Sequence, residues 1–206
     1  MTTDHFEQSL RDAFYLCEGM VEAQPMCEQV RQRIAAIAEM VADSSAPQCE
    51  VIKPTLIDKI TEFNAFLGRT TRRQTVFRIA SSRTVEEKCL QVHLDLDALL
   101  GTIEIPEAYT KTVASWRNQY EDALQTQRAA YNALSQDRIA MMRELRDERD
   151  QAEALTLIMY EHKRSDGGYT EAGLKTLSNA FSTIARFSRA QVPAVPKLFV
   201  PFYEAP

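Results

Sequence analysis

The sequence is poor in the residues that make turns and sheets, with 6 glycines and 8 prolines among 206 residues and few β-branched runs alternating with polar ones. That scarcity, set against abundant Ala, Leu, Glu, Gln, Arg and Met, disfavours strands and predicts an all-α fold. Long apolar runs are missing as well. No stretch approaches the roughly 20 apolar residues of a membrane span, and MTTDHFEQSLRDAF lacks the basic-then-apolar order of a secretory leader. A cytoplasmic protein is expected, with peripheral attachment at membranes as the alternative.

Catalytic constellations are absent from the pattern. His5, His93 and His162 fall on three different predicted helices, and neither a nucleophile motif nor a glycine-rich phosphate loop accompanies them. His93 lies one step off an apolar stripe and reads as a satisfied boundary histidine. Asp95 and Asp97 stand about 200° apart on a helix, a poor metal clamp, and read as solvated surface. Cys17, Cys27, Cys49 and Cys89 have neither CxxC spacing nor a zinc-finger histidine, so they read as reduced, buried thiols. No catalytic residue, metal ligand or cofactor is assigned, and this chain is not expected to be an enzyme.

Amphipathic segments fill the sequence. Phe6, Leu10, Ala13, Phe14, Cys17 and Val21 mark a first helix. Pro25 suits the first turn of a second, with Met26, Val30, Ile34, Ile37 and Val41 inward, although one helix kinked at Pro25 fits equally. A third, starting at Lys53, carries Leu56, Ile60, Phe63 and Leu67 and ends at Gly68 as C-cap. A fourth starts with Thr84 as N-cap and Glu87 in the capping-box position, and stops at Gly101, with Val85, Cys89, Val92, Leu96 and Leu99 inward. Residues 1–103 therefore read as a four-helix bundle.

Between Glu107 and Lys163 there is neither Gly nor Pro. One unbroken helix there would span on the order of 80 Å at 1.5 Å per residue, so its centre must project, pair with another chain, or break. Its apolar register is interrupted at Gln127, Arg138 and Glu148. Trp116, Tyr120, Leu124, Tyr131 and Leu134 are its candidate interaction residues, and a dimerising scaffold is one reading. MRELRDERD reads as an exposed face of local ion pairs or as a coiled-coil surface. Gly167-Gly168 then makes a turn. Thr170 opens a last helix with Leu174, Leu177, Phe181, Ile184 and Phe187 inward, folding back on the long one as residues 104–190. QVPAVPKLFVPFYEAP, within 191–206, reads as an extended Pro-rich linker.

The net charge is -5, yet FLGRTTRRQTVFRIASSRT carries Arg69, Arg72, Arg73, Arg78 and Arg83 and no acid. These arginines are the candidate anion- or lipid-binding residues, each contributing up to roughly 1 kcal/mol at an anionic surface. RRQTV has the form that arginine-directed kinases favour, which makes Thr75 the phosphorylation candidate. The competing reading is a positively charged connector that docks Val76, Phe77 and Ile79 on the bundle. An acidic chain with one basic patch and no reading motif gives no ground for nucleic-acid binding.

The stretch TLIDKITEFNAFLGRTTRRQTVFRIASSRTVEEKCLQVHLDLDALL resembles the N-terminal regulatory bundle of mixed-lineage kinase domain-like proteins and their plant and fungal relatives. That likeness covers roughly residues 5–100. SSRTVEEKCLQVHLDLDALL, followed by SWRNQYEDALQTQRAAY and closed by FSRAQVPAVPKLFVPFYEAP, resembles the N-terminal regions of oomycete-type tyrosine-kinase-like family kinases. The resemblance implies a non-catalytic regulatory module with a kinase domain in cis after Pro206, and residues 104–190 as a brace. It admits a protein partner or homo-oligomer, and anionic lipid as in the mixed-lineage relatives, whose bundle permeabilises membranes. The first helix departs from that pattern: Asp4, Glu7, Asp12, Glu18 and Glu22 face Arg11 as the only fixed positive charge.

Overall fold

A computed structural model describes residues 3–43, 47–164 and 168–188. Gly167 and the tail 191–206 lie outside them. The described residues are all-helical, with no strand: α1 Thr3–Gly19, α2 Gln24–Asp43, α3 Pro47–Thr71, α4 Thr75–Ala80, α5 Ser82–Leu100, α6 Glu107–Ala114, α7 Trp116–Gln136, α8 Arg138–Glu144, α9 Glu148–Lys163 and α10 Glu171–Phe187. The chain divides into two compact units. One comprises Met1–Thr71 and Glu86–Gln127, the other Arg72–Val85 and Arg128–Pro206.

In the first unit α1 packs on α2 and α3, and α2 packs on α3 and α6. The expected inward residues of α2 and α3 are buried, among them Ile34, Ile37, Ile60, Phe63 and Leu67. Each fully buried Ile, Leu or Phe contributes about 1.5–3 kcal/mol, so these two helices supply much of the unit's core. On α1 the stripe is rotated from the expected one: Ser9, Ala13 and Cys17 are buried, as is Met20 just after the helix, whereas Phe14 is 40% and Val21 70% exposed. The helix ends at Gly19, so Val21 is in the following turn and off the helical period. α3 starts before Lys53 and holds Pro54 in its interior, with buried Ile52 anchoring the added turns. It also runs through Gly68 to Thr71, with the buried Thr70 hydroxyl donating to the Phe66 carbonyl at 3.0 Å.

The second unit has its own core. Val76, Phe77, Ile79 and Ala80 of α4 meet Met141, Leu145, Leu155, Ile158, Leu177 and Ile184. α4 packs against α8, α9 and α10, and α10 against α8 and α9. Thr170 caps α10 by accepting from the Gly173 N–H. Leu177 and Ile184 are buried as expected. Phe187 is instead 39% exposed, between the Arg138 guanidinium at 3.9 Å and that of Arg186 at 5.4 Å from its ring centre.

The Gly- and Pro-free stretch Glu107–Lys163, expected to project, pair or break, is divided into α6, α7, α8 and α9. The first break falls at Ser115, and aspartates restart the helix after the other two. Asp137 accepts from the Ala140 N–H at 3.0 Å and Asp147 from the Asp150 N–H at 2.8 Å, each acting as an N-cap. The Gln151 side-chain amide donates to the Leu145 carbonyl at 3.0 Å and satisfies the end of α8. Arg138 and Glu148, where the apolar register faltered, are the first residues of α8 and α9.

Thr84 does not cap α5. The Ser81 N–H donates to the Phe77 carbonyl and the Val85 N–H to the Ser81 carbonyl. One residue therefore separates α4 from α5, and Thr84 and Glu87 lie inside the helix with no new start to cap.

Candidate functional site

The basic connector is the first place to look, and its arginines do not form one patch. Arg69 is exposed in the last turn of α3, in the first unit, while Arg72, Arg73, Arg78 and Arg83 belong to the second. Arg72 and Arg73 are exposed. Arg78 is only 8% exposed and donates to the Arg73 carbonyl at 2.6 Å and to the Thr75 hydroxyl oxygen at 2.9 Å. Its charge serves the fold of the connector. The Arg83 guanidinium stacks 5.5 Å from the centre of the Tyr169 ring. The Tyr169 hydroxyl lies 2.9 Å from both the Ala80 carbonyl and a Glu161 carboxylate oxygen, tying α10's approach to α4 and α9.

Thr75 is the most heavily engaged of the expected residues. Its backbone N–H donates to Glu144 Oε2 at 2.7 Å and its hydroxyl to Glu144 Oε1 at 2.9 Å. One carboxylate of α8 thus closes the start of α4 twice. The neighbours do the same: the Gln74 amide donates to Asp150 at 3.2 Å, and Arg73 lies 4.0 Å from Glu153. Residues 73, 74 and 75 each aim a donor at a carboxylate on α8 or α9. Glu144 belongs to the charged run read as a solvated face, and no spacing rule singled it out.

The first unit holds a second polar arrangement, built around Arg33. This residue stands on the inward face of α2 with Val30, Ile34 and Ile37 and is 5% exposed. It donates to the Val113 carbonyl at 2.9 Å, to the His93 carbonyl at 2.7 Å and to Asp97. Asp97 also accepts from the Trp116 indole N–H at 3.1 Å and from Arg117 at 2.6 Å. Burial pushes the Asp97 carboxyl up, but these donors, Arg33 first, outweigh it and hold it below the usual carboxylate range. Burial lowers Arg33 from its ordinary value while Asp97 opposes the shift. Asp97 is therefore an anchor of the network and not the solvated residue expected. Asp95 pairs with Lys59 at 2.8 Å.

His93 is completely buried and stacks on Trp116, ring centres 4.3 Å apart and 5° from parallel. Its Nδ1 lies 3.3 Å from Arg33 Nη1. Since Arg33 can only donate, Nδ1 accepts and the proton sits on Nε2, which has no hydrogen-bond partner among the described residues. Burial, reinforced by the Arg33 charge, lowers its pKa to about 3, so it is neutral at physiological pH. A cleft of about 340 Å³ beside the network is lined by Gln29, Gln32, Arg33, Lys111, Trp116 and Gln119 among others.

The candidate interaction residues turn inward. Trp116, Tyr120 and Leu124 are buried in the first unit and Tyr131 in the second, at 2–7% exposure; Leu134 is half-buried against the second core. They do not make an exposed seam: all five lie on α7, whose apolar side chains pack into the first unit before Gln127 and into the second after it. Cys17, Cys27 and Cys89 are buried free thiols. Burial raises the Cys17 pKa, and a hydrogen bond with Cys89 followed by burial raises that of Cys27. Among the described residues no three His, Cys, Asp or Glu side chains are grouped to hold a metal, and no helix is long and apolar enough to cross a membrane.

No family model, curated protein or solved structure compared with the chain matches it.

Proposed function

We propose that this chain is a non-catalytic regulatory and interaction module, passing a signal received on residues 72–85 to a protein kinase domain encoded after Pro206. In this reading the first unit takes the role of the helical bundle of mixed-lineage kinase domain-like proteins, and α9 and α10 that of the brace. One observation supports it above the others. The connector is a single basic stretch lying between segments of the first unit, yet its apolar residues belong to the core of the second, whose other residues begin only at Arg128. A ligand or modification that shifts α4 therefore disturbs the packing of α8, α9 and α10. Such elements, held by a few polar contacts over a small core, are the ones regulatory systems move.

The test is the reading frame continued past Pro206. A kinase domain there, whose phosphotransfer changes several-fold when residues 1–190 are deleted, supports the proposal. A stop codon, or equal activity and equal response to signals with and without those residues, contradicts it.

A further inference from the structure

We infer that Thr75 is a phosphoacceptor for an arginine-directed serine/threonine kinase using ATP, and that its phosphate releases α8 from α4. The inference deepens the reading of residues 72–85 as the receiving element, and rests on that reading only for where the signal goes next.

Recognition and chemistry meet at this residue. Arg72 and Arg73 are exposed and lie outside the helices, between α3 and α4, so an acidic kinase groove engages them without unwinding a turn. Thr75 follows Gln74, whose backbone is extended (φ -60°, ψ 150°), and is half-buried, with its hydroxyl on Glu144. In the transfer the Thr75 oxygen attacks the γ-phosphorus of ATP and the bond to the β-phosphate oxygen breaks. ADP leaves, and the hydroxyl proton passes to the kinase's base.

The product has the wrong charge for its surroundings. Before transfer, residues 73–75 offer α8 and α9 only donors: Arg73 to Glu153, the Gln74 amide to Asp150, and the Thr75 N–H and O–H to Glu144. After it, the ester oxygen has no proton to give Glu144. A group of about -1.5 to -2 charge stands against that carboxylate, with Asp150 and Glu153 beyond. Arg78, already 2.9 Å from the same oxygen, and Arg73 are the cations at hand to take the phosphate. The phosphate thus replaces contacts to α8 with contacts inside the connector, and the Glu144 clasp opens.

The experiment treats the full 206-residue chain with an arginine-directed kinase and MgATP. A peptide covering residues 70–80 serves as the competence control, with site mapping by mass spectrometry and amide hydrogen exchange as readouts. Phosphate on Thr75, absent from Thr75→Ala, and exchange about tenfold faster over residues 138–145 are expected, with residues 86–127 unchanged. Glu144→Ala, which opens the clasp without phosphate, should speed exchange at 138–145 likewise. Complete phosphorylation of the peptide with none on Thr75 of the folded chain overturns the inference. So does a Thr75 phosphate that leaves exchange over 138–145 unchanged. Because the readouts need no downstream kinase domain, either result is separable from that of the deletion test above.

Discussion

Replacing Asp97 with alanine removes one carboxylate and strands three donors, and the structure says which loss dominates. Arg33 is 3% exposed at its side chain, while Asp97 is 30% and Arg117 62% exposed. Arg117 regains water at little cost. Arg33 cannot, and keeps only the His93 and Val113 carbonyls and the more distant His93 Nδ1. Removing one partner of a buried pair costs about 3–5 kcal/mol. Three remaining acceptors and the partly open Asp97 edge place this case near the lower end, about 3 kcal/mol. Trp116 is the single tryptophan of the chain and donates to Asp97, so its fluorescence reports the first unit directly. With a slope of about 1.5 kcal/mol per molar urea, the unfolding midpoint should fall by about 2 M. Arg117→Ala, at the exposed end of the same network, should cost no more than about 1 kcal/mol and less in high salt. An Asp97→Ala loss below about 0.5 kcal/mol, or one matched by Arg117→Ala, would refute the view of Arg33 as a buried cation dependent on this carboxylate.

Four further outcomes follow from the same physics. Between pH 7 and 5 the unfolded chain binds a proton at His93, whose ordinary value is 6.5, whereas the folded chain does not until about pH 3. Stability is therefore full above pH 6.5 and should fall by about 2 kcal/mol at pH 5, a slope that His93→Gln flattens in urea titrations. Ile79→Ala, at a fully buried position of α4, should destabilise the second unit by about 2–5 kcal/mol by circular dichroism. Ile139→Ala, at a position 79% exposed, should stay within about 0.5 kcal/mol. Cys17, Cys27 and Cys89, buried and held as thiols, should resist an aromatic disulfide reagent in the folded chain and react at the rate of unfolding; prompt labelling of any one would count against its burial.

Periodicity carried the helices whose partners are apolar and local. The inward residues of α2 and α3 appear where threes and fours put them, as do the N-cap of α10 and the stop at Gly101. What stayed hidden depended on contacts distant in sequence. Arg33 occupies an apolar stripe, and a charge in that register is the one signal that could have announced a buried pair, but its partner Asp97 lies 64 positions on. Glu144 looks like every other acid in MRELRDERD until α4 is set against it. The breaks of the long helix were half legible. Faltering register marked Arg138 and Glu148, while the aspartates that cap the new helices precede them by one residue; Asp147 sits in the run that reads as an exposed charged face, and nothing in the pattern marks Asp137. Gln127, the third interruption, is fully buried inside α7 and is the last residue of the first unit.

Residues 72–85 belong to the second unit and are clasped to it through Glu144. Amide exchange in the unmodified chain tests this most directly, comparing wild type with Glu144→Ala. Protected amides are expected over residues 77–80 in the wild type, and exchange about tenfold faster there and over 138–145 in the variant, with 86–127 unaltered. Unprotected amides over 77–80 in the wild type, or identical exchange in the two proteins, would contradict it.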